Sequence, residues 1–219
     1  MNILLHICCS NCSLYPVRIL RSEKHYIAGF WFNPNIHPHE EYNLRIESLK
    51  RLAGEWKFEV SYVEGYAPEE YFRMFKTFSP HFTKGGQGGI FDFGKLTETR
   101  FPYSVPPSPE RCRYCYQLRL EKTAEHAQKE GFDAFSTTLL ISPYQDFAHI
   151  VSVGKELADK YNVQFHLRDY RPHFREAMAL AKELGLYRQK YCGCIFSRDE
   201  KAIKNKSESP DQIKRISSI

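Results

Sequence analysis

The sequence predicts a parallel three-layer α/β domain with about five strands. Short apolar runs recur along the chain, and helical patterns separate one run from the next. The predicted strands are 2–7, 26–32, 58–63, 134–140 and 163–167. The predicted helices are 14–22, 39–53, 113–131, 147–161 and 172–184. We expect the strand order 3-2-1-4-5, in which ligands bind beyond the carboxyl ends of the first and fourth strands.

The first half of the chain alternates strand and helix signals. An apolar run, 2–7, opens the chain, and Pro16 marks the start of the helix after it, because proline is tolerated in a helix's first turn. The aromatic and β-branched run 26–32 is the second strand, and the turn signal at 33–35 ends it. A polar helix follows, and residues 58–63 alternate with the period of two that indicates a strand.

The second half begins with an interruption. Residues 77–110 are rich in glycine and then in proline, which predicts an insertion or long loop. An amphipathic helix closed by Gly131 comes next, followed by the remaining strands and helices, the last of them closed by Gly185. Residues 201–219 are predicted to be a basic tail. The sequence thus indicates a single domain over residues 1–200.

Composition sets the wider limits. The 219 residues are 42% hydrophobic with a net charge of +5, which is enough for a packed core and compatible with a polyanionic partner. The amino terminus has no basic leader and its apolar run is too short for a signal peptide. Nothing approaches the roughly 20 apolar residues of a membrane helix. We therefore expect a cytoplasmic protein with no membrane partner.

All seven cysteines fall into three tight groups, which is the strongest functional signal in the chain. The groups are Cys8-Cys9-x-x-Cys12, Cys112-x-x-Cys115 and Cys192-x-Cys194. An odd count in a reducing compartment argues against disulfides and favours metal binding or catalysis. The first group follows the first strand, and the second opens the helix that leads into the fourth strand. Both are therefore expected at the carboxyl edge of the sheet, where helix starts also stabilise thiolates.

Seven thiols exceed the needs of one tetrahedral zinc site. Four cysteines suit either structural zinc or a [4Fe–4S] cluster, because both use C-x-x-C pairs. Three more could hold a second, mononuclear metal with an open position. Spacing by itself leaves zinc and iron equally open.

Motifs spread along the chain resemble one family. They are His6-Ile7-Cys8-Cys9-Ser10-Asn11-Cys12, Asn33-Pro34-Asn35-Ile36-His37-Pro38, the run from Glu110 to Leu120, Ser136-Thr137-Thr138-Leu139, Ser142-Pro143 and the run from Tyr187 to Cys194. Together they are similar to the cobalamin-independent epoxyqueuosine reductases, the QueH family, over about residues 3–197. Asn11 stands where the family commonly has proline.

The resemblance implies a Rossmann-like domain of the HUP type, a [4Fe–4S] cluster and an adjacent mononuclear iron, which zinc can replace. It also implies a reaction, the removal of the epoxide oxygen from epoxyqueuosine at the wobble position of tRNA. The product is queuosine, and the reaction is the last step of its biosynthesis. The partners are then the modified tRNA and an unidentified electron donor.

The seven thiols are divided between the two metals as a hypothesis. Some family members carry aspartate at the position of Cys12, and exchange between thiolate and carboxylate is easier at a single iron than at a cluster corner. The cluster ligands are accordingly predicted as Cys9, Cys112, Cys115 and Cys192. The ligands of the single iron are predicted as Cys8, Cys12 and Cys194.

Other site residues follow from the chemistry of the implied reaction. Removing an epoxide oxygen needs a proton donor within hydrogen-bond reach, and the candidates are Asp146, Tyr144 and Tyr191. Asp146 has an alternative interpretation as the N-cap of the helix that starts at Phe147.

Basic and aromatic residues near the cysteine groups are candidates for contacts to phosphates and unstacked bases. The substrate-binding predictions are Arg113, Arg119, Arg175 and Arg188. The wider set adds Arg111, Arg168, Arg171 and Lys190, with Tyr114, Tyr116, Tyr170, Phe174 and Tyr187.

Two other functions compete with the reductase. A tRNA sulfur-transfer enzyme of a related α/β fold needs an ATP-binding signature such as Ser-Gly-Gly-x-Asp-Ser after the first strand, and this chain has the first cysteine group there. A zinc-stabilised RNA-binding module would use the cysteines for structure alone.

Overall fold

A computed structural model describes residues 1–63, 65–78 and 108–200 of the chain, with the side chains of 1–63, 65–73 and 110–200. Its five strands form one parallel sheet in the order β3-β2-β1-β4-β5, which confirms the predicted order. The strands are β1 Asn2–His6, β2 Tyr26–Trp31, β3 Val60–Tyr62, β4 Ala134–Thr137 and β5 Gln164–Phe165. The central register pairs Leu5 of β1 with Gly29 of β2 and Ser136 of β4.

Six helices lie around the sheet, and residues 195–200 of the described chain are also helical. The six helices are α1 Ser10–Ser22, α2 His39–Trp56, α3 Pro68–Phe78, α4 Ser108–Lys129, α5 Phe147–Tyr161 and α6 Phe174–Glu183. Two short 3-10 segments, Thr138–Ile141 and Arg171–His173, follow β4 and precede α6. From β1 to β5 of the described residues, strands and helices alternate as predicted, except that α3 and α4 both lie between β3 and β4.

Side chains of β1 alternate between two apolar cores, one on each face of the sheet. Leu4 packs in a core with residues of α4 and α5, including Leu120 and Ile150. Ile3 and Leu5 pack on the other face in a core with residues of α1 and α2. A strand that is buried on both sides has a continuous apolar sequence, and this arrangement is the predicted three-layer structure.

Three element boundaries near the cysteines differ from the predictions, and one of them is the start of α4, at Ser108 rather than at Arg113. Helix α1 begins at Ser10 rather than near Leu14, because Cys9 supplies the N-cap and its Sγ accepts a hydrogen bond from the Cys12 amide. Pro16 consequently lies inside the helix. Strand β4 ends at Thr137, whose side chain accepts the amide of Leu139 and starts the 3-10 segment.

Helix α3 was not predicted at all, although Pro68 at its start and the acidic first turn, Glu69 and Glu70, are helix-start signals. The ends of the predicted loop 77–110 are helical, since α3 reaches Phe78 and α4 begins at Ser108. The rest of that loop, and the predicted tail 201–219, lie outside the described residues. None of the described helices combines the length and apolarity that crossing a bilayer requires.

Candidate metal centre

The first cysteine group forms a buried triad at the carboxyl end of β1. The Sγ atoms of Cys8, Cys9 and Cys12 all lie within 4.8 Å of one another, and those of Cys8 and Cys9 are 3.9 Å apart. Cys8 follows the end of β1 by two residues, and the N-terminal turn of α1 brings Cys12 back beside Cys9. The end of β1 and the start of α1 thus bring the three thiols together.

The end of β4 supports the triad from the neighbouring strand. Thr138 accepts a hydrogen bond from the Cys8 amide at 3.1 Å, and its hydroxyl lies 3.3 Å from the Cys8 Sγ, to which it donates. The hydroxyl of Thr137 lies 2.9 Å from Nδ1 of His6. The two threonines therefore fix the orientation of the segment that leaves β1.

Protons are held unequally within the triad. Hydrogen bonds from Cys12, Cys9 and Thr138 hold the pKa of Cys8 well below its usual range, although burial opposes them. Burial raises the pKa of Cys9, and the hydrogen bond to Cys8 raises the pKa of Cys12. One thiolate is thus favoured beside two thiols. A metal ion that binds thiolates would release the remaining protons.

Two buried arginines place positive charge near the sulfur atoms. Arg119 of α4 is 3% exposed and donates Nε to the carbonyl of Cys115 at 3.1 Å. Burial lowers the pKa of Arg119, but the nearby Cys115 and Cys8 outweigh it and the net direction is upward. Arg45 of α2 is 2% exposed, and its pKa is raised in the same way, with Cys9 as the largest opposing charge. Both cations favour thiolates.

Residues 187–194, here called the return segment, fold back onto α2. Arg45 forms an ion pair with Glu41 at 2.6 Å and donates to the carbonyls of Tyr191 at 2.9 Å and Cys192 at 3.2 Å. Tyr187 donates its hydroxyl to the other oxygen of Glu41 at 2.5 Å. The buried Arg45–Glu41 ion pair, here called the clamp, therefore holds both ends of the return segment.

Gln189 joins the return segment directly to the triad. Its Nε2 donates to the Sγ of Cys9 at 2.9 Å and lies 3.7 Å from that of Cys12. Its Oε1 accepts a hydrogen bond from Asn11 at 3.1 Å. Asn11 thus takes part in holding Gln189.

Gly193 meets the β2–α2 connection so closely that a side chain would not fit. Its φ is +111°, and a Cβ would lie 2.9 Å from Ile36 Cγ1 and 3.3 Å from Arg45 Nη1. The carbonyl of Gly193 accepts the amide of His37 at 2.9 Å. Glycine is therefore required between the last two cysteines both by conformation and by space.

The remaining four cysteines lie in different surroundings. Cys115 and Cys194 are buried in a small apolar cluster with Tyr71 and Phe196, and the Tyr71 hydroxyl lies 3.1 Å from the Cys194 Sγ. Cys112 is partly buried and packs against the core that contains the triad, whereas Cys192 is exposed. Within the described part of the chain, the triad is the group of three cysteines whose sulfurs all lie within 4.8 Å of one another.

Comparison with known families shows to which family this chain with its thiol-lined site belongs. A family profile described as "Epoxyqueuosine reductase QueH" matches residues 3–87 and 96–200. The chain belongs to the QueH family. A relative from Thermotoga maritima is 34% identical over 205 residues, which cover 93% of each chain. One from Dehalococcoides mccartyi is 31% identical over 91% of this chain and 93% of its own length. Both are named epoxyqueuosine reductase QueH, an oxidoreductase.

A solved structure shows the same fold at low sequence identity. The U34-tRNA thiolase NcsA from Methanococcus maripaludis, solved with its [4Fe-4S] cluster, superimposes with a TM-score of 0.50 and is 16% identical. The match covers 95% of this QueH-family chain and 66% of that protein. The likeness confirms the predicted α/β fold and extends no further.

The three predicted proton donors occupy different environments in this QueH-family chain. Asp146 is the N-cap of α5, accepts the His149 amide at 3.1 Å and pairs with the His149 ring at 2.6 Å. Those contacts, the backbone hydrogen bond first, lower the pKa of Asp146 and keep it ionised. Tyr144 is 83% exposed and packs edge-on against Phe174. The cap interpretation is therefore the one that the geometry of Asp146 matches.

Tyr191 is the candidate that lies closest to the clamp. Its hydroxyl donates to the carbonyl of His37, and Arg45 lies over its ring at 5.6 Å. Burial raises the pKa of Tyr191, so the phenol keeps its proton at neutral pH. The role of each of the three as a proton donor stays a prediction.

The four predicted substrate arginines divide into exposed and buried positions. Arg175 and Arg188 are exposed, and Arg113 is exposed in a long 3.5 Å contact with Glu156. Arg119 is buried beside the thiols, so its charge acts on sulfur rather than on a phosphate at the surface. In the wider set, Arg111, Tyr116 and Tyr170 are also buried, the first of them paired with Glu200 at 2.7 Å.

Several residues around the thiols were not predicted from the sequence. Arg45 and Glu41 have the i,i+4 spacing of a helix pair, which is common and carries no sign that the pair is buried. Thr138 and Gln189 lie inside quoted motifs but had no assigned role. Tyr71 lies on the unpredicted helix α3.

Proposed function

We propose that this chain is an epoxyqueuosine reductase that converts epoxyqueuosine at the tRNA wobble position into queuosine. The observation that carries the proposal is the family match over almost the whole chain together with a buried thiol triad at the edge where ligands bind in this fold. Its tRNA substrate places the enzyme in the cytoplasm.

The reaction sets what the site has to provide. An epoxide loses its oxygen as water when two electrons and two protons are added, and the two former epoxide carbons are left joined by a double bond. The electrons come from an external reductant. The protons need a donor beside the leaving oxygen. Tyr191, which is protonated and lies in the return segment, is our first candidate, ahead of Asp146 and Tyr144.

The donor set fits an iron–sulfur centre. Three thiols converge within 4.8 Å, two buried arginines offset thiolate charge, and Gln189 and Thr138 donate hydrogen bonds to sulfur. Thiolates of this kind suit iron–sulfur clusters and zinc. A [4Fe–4S] cluster with a neighbouring iron would supply single electrons and a Lewis acid for the epoxide oxygen.

The division of ligands follows from the predicted roles. We assign Cys9, Cys112, Cys115 and Cys192 to the cluster, and Cys8, Cys12 and Cys194 to the single iron. Because Cys9 lies within 4.8 Å of Cys8 and Cys12, the two metals would be neighbours. Hydrogen bonds to the sulfurs of a cluster tune its reduction potential, so the amide of Gln189 at the Cys9 Sγ has a direct role in this scheme.

Recognition of tRNA is assigned to exposed cations. Arg113, Arg175 and Arg188 have exposed side chains and can contact phosphates. Their contribution predicts an affinity for tRNA that falls steeply with added salt.

The test is nucleoside analysis of tRNA by mass spectrometry. Anaerobically prepared protein, loaded with iron and sulfide and supplied with dithionite, is incubated with tRNA that contains epoxyqueuosine. We expect queuosine, which has one oxygen atom less than the substrate nucleoside. A substrate nucleoside that stays unchanged in the presence of loaded, reduced protein would refute the proposal.

Iron and zinc analysis of the same preparation separates the alternatives. The reductase predicts iron with acid-labile sulfide, whereas colourless protein that keeps only zinc after anaerobic reconstitution would favour an RNA-binding module. Persulfide on cysteine and a sulfur-containing nucleoside would favour sulfur transfer.

Cys12→Ser tests the division of ligands. It should keep the visible absorption of the cluster and abolish turnover, since Cys12 is assigned to the single iron. Loss of the cluster itself in this variant would contradict the assignment.

A further inference from the structure

A second group of metal-binding side chains lies far from the cysteines. Glu23, His25 and His166 each offer one ligand atom, and these atoms all lie within 4.8 Å of one another. Glu23 and His25 follow the carboxyl end of α1, whose 13 residues span about 20 Å. The triad lies at the other end of that helix. The two groups are therefore separate sites.

The ligand types favour a divalent transition metal. Two imidazoles and one carboxylate are the ligands of a class of zinc sites that keep a fourth position open. All three residues are partly accessible, with the side chains of His25 and Glu23 exposed by 19% and 36%. An ion from solution can therefore reach the group.

The carboxylate of Glu23 is already oriented toward the imidazoles. Arg168 donates to Oε1, which leaves Oε2 3.7 Å from Nε2 of His25. Carboxylates that bind metals commonly have their second oxygen held in this way by an outer hydrogen bond. Arg168 thus holds the Glu23 carboxylate in the orientation for metal binding and leaves Oε2 for the metal.

The ring of His166 has hydrogen-bonding capacity that the described residues leave unused. Its amide donates to Phe135 at 2.8 Å and its carbonyl accepts from Ser136 at 2.8 Å, which fixes the residue beside β4. The Nδ1 atom of its ring is buried and has no hydrogen-bond partner among the described residues. Its ring lies 5.6 Å from that of His25, edge to face. A buried ring nitrogen without a hydrogen-bond partner lowers the stability of the fold, and a bound cation would give the ring a partner.

We propose that Glu23, His25 and His166 bind one zinc-type divalent cation that links the end of α1 to the segment after β5. Strand β5 is two residues long and lies at the edge of the sheet, so a cross-link here stabilises its weakest part. The site is independent of the reaction proposed for the cysteines.

Equilibrium dialysis against zinc chloride, followed by metal analysis, tests the site. The thiols are the same in every variant, so the difference in bound zinc between the unaltered chain and a variant reports this site alone. We expect His166→Ala and His25→Ala to bind one zinc equivalent less than the unaltered chain. His173→Ala is the matched control, since His173 also lies beside a carboxylate, Glu176 at 3.5 Å, but belongs to no group of three metal-binding side chains among the described residues.

Two surface variants keep the test decisive if His166→Ala does not fold. Glu23→Gln should also lose the equivalent, and Arg168→Ala should keep it with roughly tenfold weaker affinity, as expected for a residue that orients a ligand. Equal zinc in the unaltered chain, His25→Ala and Glu23→Gln would overturn the proposal. So would the loss of the same equivalent in His173→Ala.

Discussion

The triad is positioned by local structure, whereas the return segment is positioned by side chains far from it in sequence. Cys8, Cys9 and Cys12 are fixed by the end of β1 and the first turn of α1. The return segment has no strand or long helix of its own, and the buried Arg45–Glu41 pair of α2 holds it. The first cysteine group is thus positioned mainly by neighbouring residues, and the third group is held by a clamp that is distant in sequence.

The largest effect is expected from Arg45→Ala. The change leaves Glu41 buried without its partner and frees the carbonyls of Tyr191 and Cys192, so unfolding should become about 3–5 kcal/mol easier. Urea denaturation measures the loss, and hydrogen exchange should rise in residues 187–194 more than in 8–12. Lys50→Ala is the control on the same helix, where an exposed pair with Glu47 contributes less than about 1 kcal/mol. Equal exchange in both segments would contradict the comparison.

Gly193→Ala should break the same segment from within. Its positive φ and its contacts with Ile36 and Arg45 predict a loss of roughly 1–3 kcal/mol in unfolding free energy. Gly185→Ala is the matched control, because its φ is also positive but nothing lies within 4 Å of the added Cβ. If the two variants lose the same stability by thermal or urea unfolding, the close approach of Gly193 has no energetic role.

Thr138→Val probes the support that the triad receives from the segment after β4. It removes the hydroxyl that contacts both the amide and the sulfur of Cys8, at a cost of about 1–3 kcal/mol. The pKa of the Cys8 thiol should rise, because a hydrogen bond to its thiolate is lost. The pH dependence of alkylation in metal-free protein measures this pKa. Thr123→Val, whose hydroxyl donates to Arg119, should leave the titration of Cys8 unchanged.

Gln189→Leu, which alters the contact between the return segment and the triad, should give the smallest change in stability. It removes the donor to the Cys9 sulfur, and the cost to folding should be about 1 kcal/mol. Alkylation of Cys9 and Cys12 in metal-free protein should nevertheless become faster, as read by mass spectrometry. Gln164→Leu, at an exposed position of β5, is the control. Unchanged alkylation would mean that Gln189 does not cover the triad.

The fold could be predicted further than the site because periodicity and turn signals are local. The strand order and the shared edge of Cys8 and Cys112 follow from the alternation of strands and helices, and the structure confirms the order. The start of α1 was wrong because the N-cap is a cysteine, which is not among the usual capping residues. The sequence pattern of a helix does not reveal such a cap.

The clamp could not be predicted for a different reason. Arg45 and Glu41 look like one of many surface pairs, and only the folded chain shows that they are buried beneath residues about 150 positions away. Arg119 illustrates the same limit, since a cationic side chain in a motif indicates phosphate binding until its burial is known. Long-range packing carries the information that single-sequence patterns lack.

Anomalous diffraction at the iron edge, from crystals of anaerobically prepared protein, would show whether the cysteine groups bind iron. We expect iron bonded to the sulfurs of Cys8, Cys9 and Cys12, with further iron on sulfurs of the second and third cysteine groups. A triad without anomalous signal at the iron edge, or with signal only at the zinc edge after anaerobic reconstitution with iron and sulfide, would contradict this expectation.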